Sequence, residues 1–482
     1  MFDLRPILMV VGVLLATLGA AMMVPAIIDI AFGHPGWQNF AVSGVLTLLV
    51  GAGLWTASHR SVTTLTLRQA FVMTTLVWIA LSAFGALPIY WSGMVPSYTD
   101  AFFESISGIT TTGATVIEGL DKAPPGLLFW RAMLQWMGGL GIIVMAIAVF
   151  PMLQIGGMQL FKVEAFDTPE KILPRATQIS GSMTMVFIVL TAICAISYAM
   201  AGMSAMDATM HAMTTVATGG FSSHDQSIAF FDSAYVDWVA IIFMCIGSLP
   251  FLLYVKLVQG APSALFRDSQ VRVFFMLLVF FTLIIWGFTA RGEIFSGSTG
   301  LRYAAFNVVS IMTGTGYATA DYGTWGAFSV AFFFTIMFIG GCAGSTSCGI
   351  KVFRFQVLFE DLRQHLSRIV YPNGIFVKRF NGMPLSDSVS AAVLSFLFIY
   401  MVCFAVLAML LSLTGLDNVT AFSGAASAIS NVGPGLGAII GPVGHYGSLN
   451  DPAKWILAAG MLIGRLELFA VLVLFIPQFW RS

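Results

Sequence analysis

The stretch TTTGATVIEGLD, residues 110–121, lies between two long apolar segments and decides how the chain folds. It places three threonines before a glycine and ends in a short polar tail. Non-helical backbone is tolerated at membrane depth only where protein buries it or where it lines a water-filled path. If the rest of the chain lies in a membrane, this stretch therefore indicates a re-entrant loop.

The composition does place the chain in a membrane. Of 482 residues, 58% are hydrophobic and 9% are charged, whereas a soluble domain carries about 25% charged residues. Apolar runs at about 7–31 and 39–57 predict two leading helices, the first too long for the core of a signal peptide. The formal net charge of zero gives no reason to expect a nucleic acid partner. The five cysteines lack CxxC spacing, so we expect neither a disulfide nor a zinc site.

The plan around residues 110–121 recurs four times after the leading helices. Each copy has an apolar helix, a half-length helix, a small or hydroxyl-rich loop and a second apolar helix containing a small-residue motif. The loops read TTTGAT (110–115), VATGGF (216–221), TGTGYA (313–318) and SNVGPG (430–435), aligned on Gly113, Gly219, Gly316 and Gly433. The preceding helices, of about 10–12 residues, are half as long as a membrane span requires.

These observations predict an all-α membrane protein. It has two leading transmembrane helices plus four helix–pore-loop–helix repeats with pseudo-fourfold symmetry around one ion path. The predicted segments are the leading helices (1–62), repeat 1 (63–160), repeat 2 with a cytoplasmic connector (161–262), repeat 3 with a broken second helix (263–380) and repeat 4 (381–482). Placing the N-terminus in the cytoplasm leaves most of the 22 basic residues on the cytoplasmic side, as positively charged loops prefer.

Four such loops around one axis favour a cation filter. Backbone carbonyls directed at the centre would replace the hydration shell of an ion, and glycine permits the positive φ that such a backbone often needs. A divalent ion would require acidic ligands, which the loop cores lack, so a monovalent cation fits better. The candidate filter residues are Thr111, Thr112, Gly113, Thr218, Gly219, Thr315, Gly316, Asn431, Val432 and Gly433.

Acidic residues follow the loops at Glu118, Asp121, Asp225 and Asp321. On this topology they lie at the outer mouth, where they would concentrate cations and raise the rate of ion capture. The alternative is that they are ordinary solvated loop charges.

Two further features differ from a simple open pore. GGCAGSTSCGIK (340–351) interrupts the second helix of repeat 3, either as a Gly/Ser kink or as a movable gate below the filter. Arg465 lies near mid-membrane, where charge indicates function by default; an ion pair with Glu467 is the alternative, although residues i and i+2 do not face each other on a helix. The candidate gating residues are Gly340, Gly341, Gly344, Ser345, Thr346, Ser347, Gly349, Lys351 and Arg465.

With the four loops, GGCAGSTS (340–347), IGRLEL (463–468) and EKILPR (170–175) in place, the chain resembles the TrkH/KtrB superfamily, and its TrkH-type members in particular. The resemblance implies potassium uptake across the bacterial inner membrane by a multi-pass homodimer, with a cytoplasmic ring of nucleotide-binding, TrkA-like regulatory subunits. The potassium ion is the only ligand it implies, with no organic cofactor in this chain. The carbonyls implied to bind potassium are those of Thr111, Thr112, Ala217, Thr218, Gly314, Thr315, Asn431 and Val432.

Two other classes of protein fit the sequence less well. A proton- or sodium-coupled secondary transporter would also contain broken helices, but such folds usually show two related halves rather than four units of one orientation. Asp29, the acidic residue of the first helix, lies far from the repeats and is a poor candidate for proton coupling. An enzyme would need a catalytic cluster, whereas the six histidines are scattered. For His211, on a pore helix, we expect packing or a backbone hydrogen bond. The amphipathic segment 351–370 is expected to leave the membrane and to contact lipid or, as we favour, a partner.

Overall fold

The computed structural model describes residues 2–58, 66–148, 172–295 and 297–481, and these are mostly helical. Within these residues, seven helices are long and apolar enough to cross a membrane, or up to nine if each of two bent helix pairs counts as one span. Several predictions fall outside the described residues. They are the predicted boundaries at 62/63 and 160/161, the first two residues of EKILPR, and two basic residues that the predicted topology places in the cytoplasm, Arg60 and Lys162.

The two leading helices pack against each other through glycines. The first runs over Arg5–Ala21 and Met23–Ala31, and the second over Trp37–Ser58. A Cβ added at Gly12 would lie 2.7 Å from the carbonyl oxygen of Gly51, and one added at Gly19 would lie 2.6 Å from that of Gly44. Small residues let helix backbones approach closely in a membrane, where hydrophobic burial does not drive helices together. The predicted pair of leading helices is confirmed.

Four helical units follow. In each unit we call the helix that precedes the glycine loop the pore helix and the apolar helix that follows the loop the inner helix. The first unit contains Leu67–Gly85, Leu87–Trp91, the pore helix Tyr98–Ile109 and the inner helix Pro125–Ala148. The second contains Ile172–Met200, the pore helix Ala205–Val216, and an inner helix in two parts, Ala234–Gly247 and Phe251–Val258. The short helix Ser263–Arg267 then leads to the third unit.

The third unit contains Ser269–Arg291, the pore helix Gly297–Thr313, the short inner helix Ala327–Ile336 and, after a loop, the amphipathic helix Val352–Val370. A hairpin of Arg379–Phe380 and Met383–Pro384 follows. The fourth unit contains Asp387–Leu413, the pore helix Asn418–Ser430, the short helix Gly437–Ile440 and the inner helix Asp451–Arg465, followed by Phe469–Leu472 and Pro477–Trp480. Short 3-10 turns lie at Leu120–Lys122, Ser227–Phe231, Tyr322–Trp325 and Val473–Phe475.

The pore helices start and stop by local chemistry. The side chains of Ser97, Ser204 and Asp417 each accept a hydrogen bond from the backbone N–H three residues later and so cap the first, second and fourth pore helices. Within two residues after its end, each pore helix is followed by a residue with positive φ, the left-handed conformation that commonly stops a helix. These residues are Thr111 (52°), Thr218 (49°), Gly314 (72°) and Asn431 (52°).

The small-residue motif of the inner helices has a packing reason. A Cβ added at Gly138, Gly247 or Gly464 would approach the carbonyl oxygen of Ile109, Val216 or Ile429, respectively, closer than 3.0 Å. These carbonyls belong to the last turn of the pore helix in the same unit. The motif therefore lets the inner helix lie directly against the end of the pore helix.

Three of the inner helices are interrupted below this contact. In the second unit the two parts meet at 91°, and in the fourth the bend at residues 466–468 is 109°. In the third unit the helix stops at Ile336 and resumes only at Val352. The first inner helix is continuous from Pro125 to Ala148. The pseudo-fourfold plan is therefore kept at the loops and altered beneath them.

Buried ion pairs join neighbouring units. Lys454 Nζ of the fourth inner helix lies 2.5 Å from Asp100 Oδ1 of the first pore helix, and both side chains are about 5% exposed or less. Arg302 Nε of the third pore helix lies 3.2 Å from Asp237 Oδ2 of the second inner helix. Charges in such positions are costly unless they are paired, so these contacts help to hold the units in order.

The Lys454–Asp100 pair should therefore be important for stability. Lys454→Met leaves the Asp100 carboxylate buried without its partner and is expected to cost about 3–5 kcal/mol, a clear drop in the apparent melting temperature of the purified protein in detergent. Glu360→Gln is the control, because Glu360 pairs with the exposed Arg363 at 3.7 Å and should change stability by about 0.5 kcal/mol or less. Equal melting of the two variants would contradict the prediction.

Candidate functional site

The four loops meet in a closed cycle. A Cβ added at Gly113 would meet the carbonyl oxygen of Gly219, and one added at Gly220 would meet that of Thr315. The cycle continues from Gly316 to the Val432 carbonyl and closes from Gly433 to the Thr112 carbonyl. Every one of these approaches is closer than 3.0 Å. Each loop therefore presents one glycine to a backbone oxygen of the next loop.

The second loop is shifted by one residue relative to the sequence alignment. Positive φ occurs at Gly113 (86°), Gly316 (82°) and Gly433 (104°), but in the second loop it occurs at Gly220 (77°). The alignment on Gly219 is therefore wrong, because the sequence has two adjacent glycines there and only the backbone distinguishes them. Gly219 corresponds to Thr112, Thr315 and Val432.

The hydrogen bonds confirm this register. The N–H groups of Thr112, Gly219, Thr315 and Val432 each bond to the carbonyl five residues earlier, at 2.8–3.0 Å. Thr218 therefore matches Thr111, Gly314 and Asn431, and Ala217 lies one step lower, where its carbonyl accepts the Thr218 hydroxyl at 2.8 Å.

The first inner helix supports the second loop through Gln135, a residue that the sequence analysis missed. Its side-chain amide donates to the Gly219 carbonyl at 2.5 Å and accepts from the Phe221 N–H at 2.9 Å. A polar residue in an apolar helix was the only signal available.

A buried cation and carboxylate support the first loop. Arg131 is one of the few basic residues that the predicted topology leaves on the outer side, yet it is 1% exposed and its Nε donates to Glu104 at 2.7 Å. Arg131 also donates to the Ser222 carbonyl at 2.8 Å. Glu104 accepts from the Thr115 hydroxyl at 2.9 Å and from the Val116 N–H at 2.8 Å. Glu104 is thus committed to bracing the backbone and to Arg131.

His211 occupies the equivalent position on the second pore helix. Its Nδ1 lies 2.9 Å from the Asp207 carbonyl and its Nε2 lies 3.0 Å from the Ser222 hydroxyl. The expectation of a packing role with a backbone hydrogen bond is confirmed. Asn307, on the third pore helix, contacts Thr319 in the same way at 3.1 Å.

Hydroxyl and amide groups give further support to the first, third and fourth loops. Thr110 and Thr112 join through their hydroxyls at 2.8 Å, as Thr313 and Thr315 do at 2.7 Å. The Asn431 side chain donates to the Thr112 hydroxyl at 2.9 Å, which ties the fourth loop to the first. Buried hydrogen bonds between side chains therefore fix the loops in place, as a preorganised site requires.

A vestibule opens beyond the loops. Its lining includes Gly113, Gly220, Gly316 and Gly433 together with Asp225 and His224. Of the four acids expected at the mouth, Asp225 lines this cavity, and its side chain also accepts from the Leu120 N–H at 3.0 Å.

The other three acids are engaged elsewhere. Glu118 pairs with His445 at 2.8 Å, Asp121 pairs with His224 at 2.5 Å, and Asp321 accepts from the Gly323 N–H at 2.9 Å. They are local partners rather than a free acidic ring.

The run Gly340–Lys351, which we call the small-residue loop, lies against the bend of the second inner helix. The Thr346 N–H donates to the Gly247 carbonyl at 3.2 Å, and the Cys342 N–H donates to the Ser248 carbonyl at 3.0 Å. The Thr346 hydroxyl also donates to the Gly247 carbonyl at 2.9 Å and lies 3.1 Å from the Thr218 hydroxyl of the second loop. The small-residue loop therefore touches the ring of glycine loops directly.

Arg465 fastens the other side of the small-residue loop. Its Nη1 donates to the Thr346 carbonyl at 3.1 Å and to Cys348 Sγ at 2.7 Å, and its Nη2 donates to the Gly138 carbonyl at 3.1 Å. Arg465 is 1% exposed. It does not pair with Glu467, which bonds to Arg354 instead. Lys351 donates to the Ser347 carbonyl within the small-residue loop.

A cavity lies among these groups. It is lined by Ile142 and Gly464 of two inner helices, by six residues of the small-residue loop, and by Arg465 and Glu467; the loop residues are Gly344, Ser345, Ser347, Cys348, Gly349 and Lys351. The predicted gating residues are thus brought together below the four loops, with Gly340 and Gly341 at the start of the small-residue loop.

The pore helices have 12 or 13 residues in three units but 17 in the third unit, which is longer than the expected 10–12 residues. Together with the closed ring of loops and the small-residue loop against it, they define a membrane protein that moves ions. Comparison with known proteins agrees. The family model described as "TrkH: Cation transport protein" matches residues 36–482. The chain belongs to the TrkH family, which consists of transport proteins rather than enzymes.

Individual relatives match over almost their full length. The Trk system potassium uptake protein TrkI of Halomonas elongata is 43% identical over 99% of this chain and 97% of its own. TrkH of Escherichia coli is 37% identical over 99% of both chains. The crystal structure of the potassium transporter TrkH from Vibrio parahaemolyticus matches with a TM-score of 0.92 at 36% identity, covering 100% of both chains.

The corrected register makes a direct prediction. Gly220→Ala places a methyl group at positive φ and against the Thr315 carbonyl, and should reduce cation flux in proteoliposomes by about tenfold or more. Gly219→Ala meets only the end of the Gln135 side chain and should be milder. Gly260→Ala is the control for positive φ alone (91°), since nothing lies within 4 Å of its added Cβ. A larger loss from Gly219→Ala than from Gly220→Ala would reject the register.

The contact of His224 with Asp121 should make stability depend on pH. Burial on its own would lower the pKa of His224, but the neighbouring carboxylates of Asp207 and Asp121 raise it, while the hydrogen bond with His224 lowers the pKa of Asp121. The histidine contribution is therefore complete below its ordinary pKa and is lost as pH rises through the raised value. The aspartate contribution is lost only in acid.

We therefore expect His224→Gln to lower the apparent melting temperature by about 1–2 °C near pH 5.5 and by less near pH 9. The exposed His365, changed to glutamine, should show no such trend. A destabilisation that grows with pH would have the wrong sign.

Proposed function

We propose that this chain takes up potassium ions across the bacterial inner membrane through the ring of four glycine loops. The single observation that carries the proposal is the closed cycle in which each loop glycine lies against a carbonyl of its neighbour. Such a ring brings backbone oxygens from four segments around one point, which is how a protein can replace the hydration shell of a monovalent cation. The relatives described above are named as potassium uptake proteins or as a potassium transporter.

In this proposal the filter is built by Thr111–Gly113, Thr218–Gly220, Gly314–Gly316 and Asn431–Gly433. The carbonyls that bind potassium are those of the first two residues in each set, so the second loop contributes Thr218 and Gly219. The buried Thr111 hydroxyl has no hydrogen-bond partner among the described residues and can supply a further oxygen. The buried carboxylate of Glu104, which supports the first loop, is neutralised by Arg131, and this favours a monovalent ion over a divalent one.

The small-residue loop is proposed as the gate. It contacts the second glycine loop through Thr346 and bonds to Arg465, and these contacts support a role in closing the way out of the filter. A guanidinium below a cation site adds an electrostatic barrier. Opening would require the small-residue loop to leave its contacts with the second inner helix or with Arg465.

The proposed assembly and orientation are those that the family resemblance implies. We propose a homodimer with a cytoplasmic N-terminus, in which residues 63–160, 161–262, 263–380 and 381–482 each contribute one quarter of the path after the leading segment 1–62. A TrkA-like nucleotide-binding ring would act on the amphipathic helix Val352–Val370. That helix exposes an apolar stripe at helical spacing, namely Phe359, Leu362, Leu366 and Ile369, each at least half exposed.

The test is ion flux from proteoliposomes, comparing K⁺, Rb⁺, Na⁺ and Li⁺. K⁺ and Rb⁺ should pass well above Na⁺ and Li⁺, and Gly113→Ser should relax this preference because its side chain would meet the Gly219 carbonyl. Gly119→Ser is the matched control: it also has positive φ (75°), but nothing lies within 4 Å of its added Cβ. Flux that requires a proton gradient and ignores Gly113→Ser would reject the channel-like filter in favour of coupled transport.

A further inference from the structure

The bend of the fourth inner helix lacks the residues that usually make a bend. In the second inner helix the equivalent break contains Pro250, which cannot continue a helix because it lacks an N–H. In the fourth, residues 466–468 are Leu, Glu and Leu. Glu467 and Leu468 nevertheless adopt positive φ, at 58° and 53°, a conformation that side chains resist. Two consecutive residues of this kind require an external contact to hold them.

That contact is a buried ion pair. Glu467 is 8% exposed and accepts a hydrogen bond from Arg354, which is 1% exposed. The guanidinium of Arg354 also lies 3.6 Å from the centre of the Phe396 ring, so it is fixed on a second side. Removing one member of such a pair leaves the other charge buried, which is strongly unfavourable.

The two charges stand at informative places in the chain. Arg354 is in the first turn of the amphipathic helix Val352–Val370, three residues after the end of the small-residue loop. Glu467 is two residues after Arg465, whose guanidinium bonds to Thr346 and Cys348 of that same loop. The pair therefore links these elements in a closed chain of contacts. The small-residue loop continues into the amphipathic helix, Arg354 of that helix bonds to Glu467 in the bend, and Arg465 beside the bend bonds back to the small-residue loop.

We propose that Arg354 and Glu467 are positioning residues of the gate, whose ion pair holds the bend so that Arg465 can grip the small-residue loop. A displacement of the amphipathic helix would be passed through Arg354 to the bend, so that the small-residue loop would lose its tether to Arg465 when the helix moves. This inference rests on the proposed gate and adds the groups that would connect it to the cytoplasmic side.

The amphipathic helix can carry such a displacement because it is fastened beyond the pair as well. Lys378 Nζ lies 2.9 Å from Asp361 on that helix and 2.7 Å from Asp387 at the start of the next long helix. Gln364 donates to the Phe376 carbonyl at 2.6 Å. The helix is thus joined to the segment 376–378 that follows it, and its other end carries Arg354 on the side of the small-residue loop.

The test uses Cys348 as a reporter in the full chain, with Cys194, Cys245, Cys342 and Cys403 replaced by serine or alanine. Cys348 Sγ lies against Arg465 and is 8% exposed, so its reaction with a small methanethiosulfonate reports whether Arg465 still grips the loop. We expect Arg354→Gln and Glu467→Gln each to raise the modification rate about tenfold or more, and the double variant to add nothing further. Arg354→Lys, which retains the charge, should lie between them and the parent.

Asp237→Asn is the matched control, because it breaks an ion pair of the second inner helix that does not touch the small-residue loop. Unchanged Cys348 rates in glutamine variants that elute and melt like the parent would overturn the proposal, as would additive effects of the two substitutions. If the glutamine variants fail to fold, Glu467→Asp decides: its shorter side chain keeps the charge but cannot reach Arg354 equally well, and an unchanged rate would overturn the proposal.

Arg465→Gln separates this proposal from the one it rests on. If Arg465→Gln changes neither ion flux nor Cys348 modification, the gate itself is wrong. If it changes both while Arg354→Gln and Glu467→Gln change neither, the gate stands and the positioning role of the pair is wrong.

Discussion

The structure depends on one constraint: four backbone segments must approach one another more closely than side chains allow. Each loop places a carbonyl where the Cβ of the preceding loop's glycine would be, and only glycine leaves that space empty. The same residues require positive φ, so a substitution incurs both a steric and a conformational penalty. A ring made this way is closed, since each loop offers a glycine to one neighbour and a carbonyl to the other.

The surrounding helices are arranged to satisfy this ring. Backbone at membrane depth cannot exchange hydrogen bonds with water, so each exposed group must find a protein partner. Glu104, His211 and Asn307 reach from three pore helices to the segment beyond each loop, and Gln135 reaches from an inner helix. Glycines of the inner helices let those helices lie against the last carbonyls of the pore helices. The loops are rigid because their supports are buried and directional.

Features repeated along the chain could be predicted from the sequence, and pairings across it could not. Apolar length and the recurring glycine loops were sufficient for the leading helices and the four units. The sequence could not decide between Gly219 and Gly220, because adjacent glycines are equivalent until φ is known. The burial of Arg131 could not be predicted either, because its partner Glu104 lies 27 residues earlier in the chain. Arg354 and Glu467 are 113 residues apart, beyond the reach of any local pattern.

The departures from fourfold symmetry lie where control requires them. A filter needs equal contributions from four segments, because an ion at the centre has no preferred side. A gate needs the opposite, since one segment must be able to move while the others hold the filter. The first inner helix runs unbroken, the second bends at a proline, the third opens into the small-residue loop, and the fourth bends at residues held by a distant charge. The loop sits between the two bends and bonds to both. In the proposed mechanism, a shift at either bend would therefore displace the small-residue loop and open the gate while the ring of glycine loops keeps the arrangement proposed to select the ion.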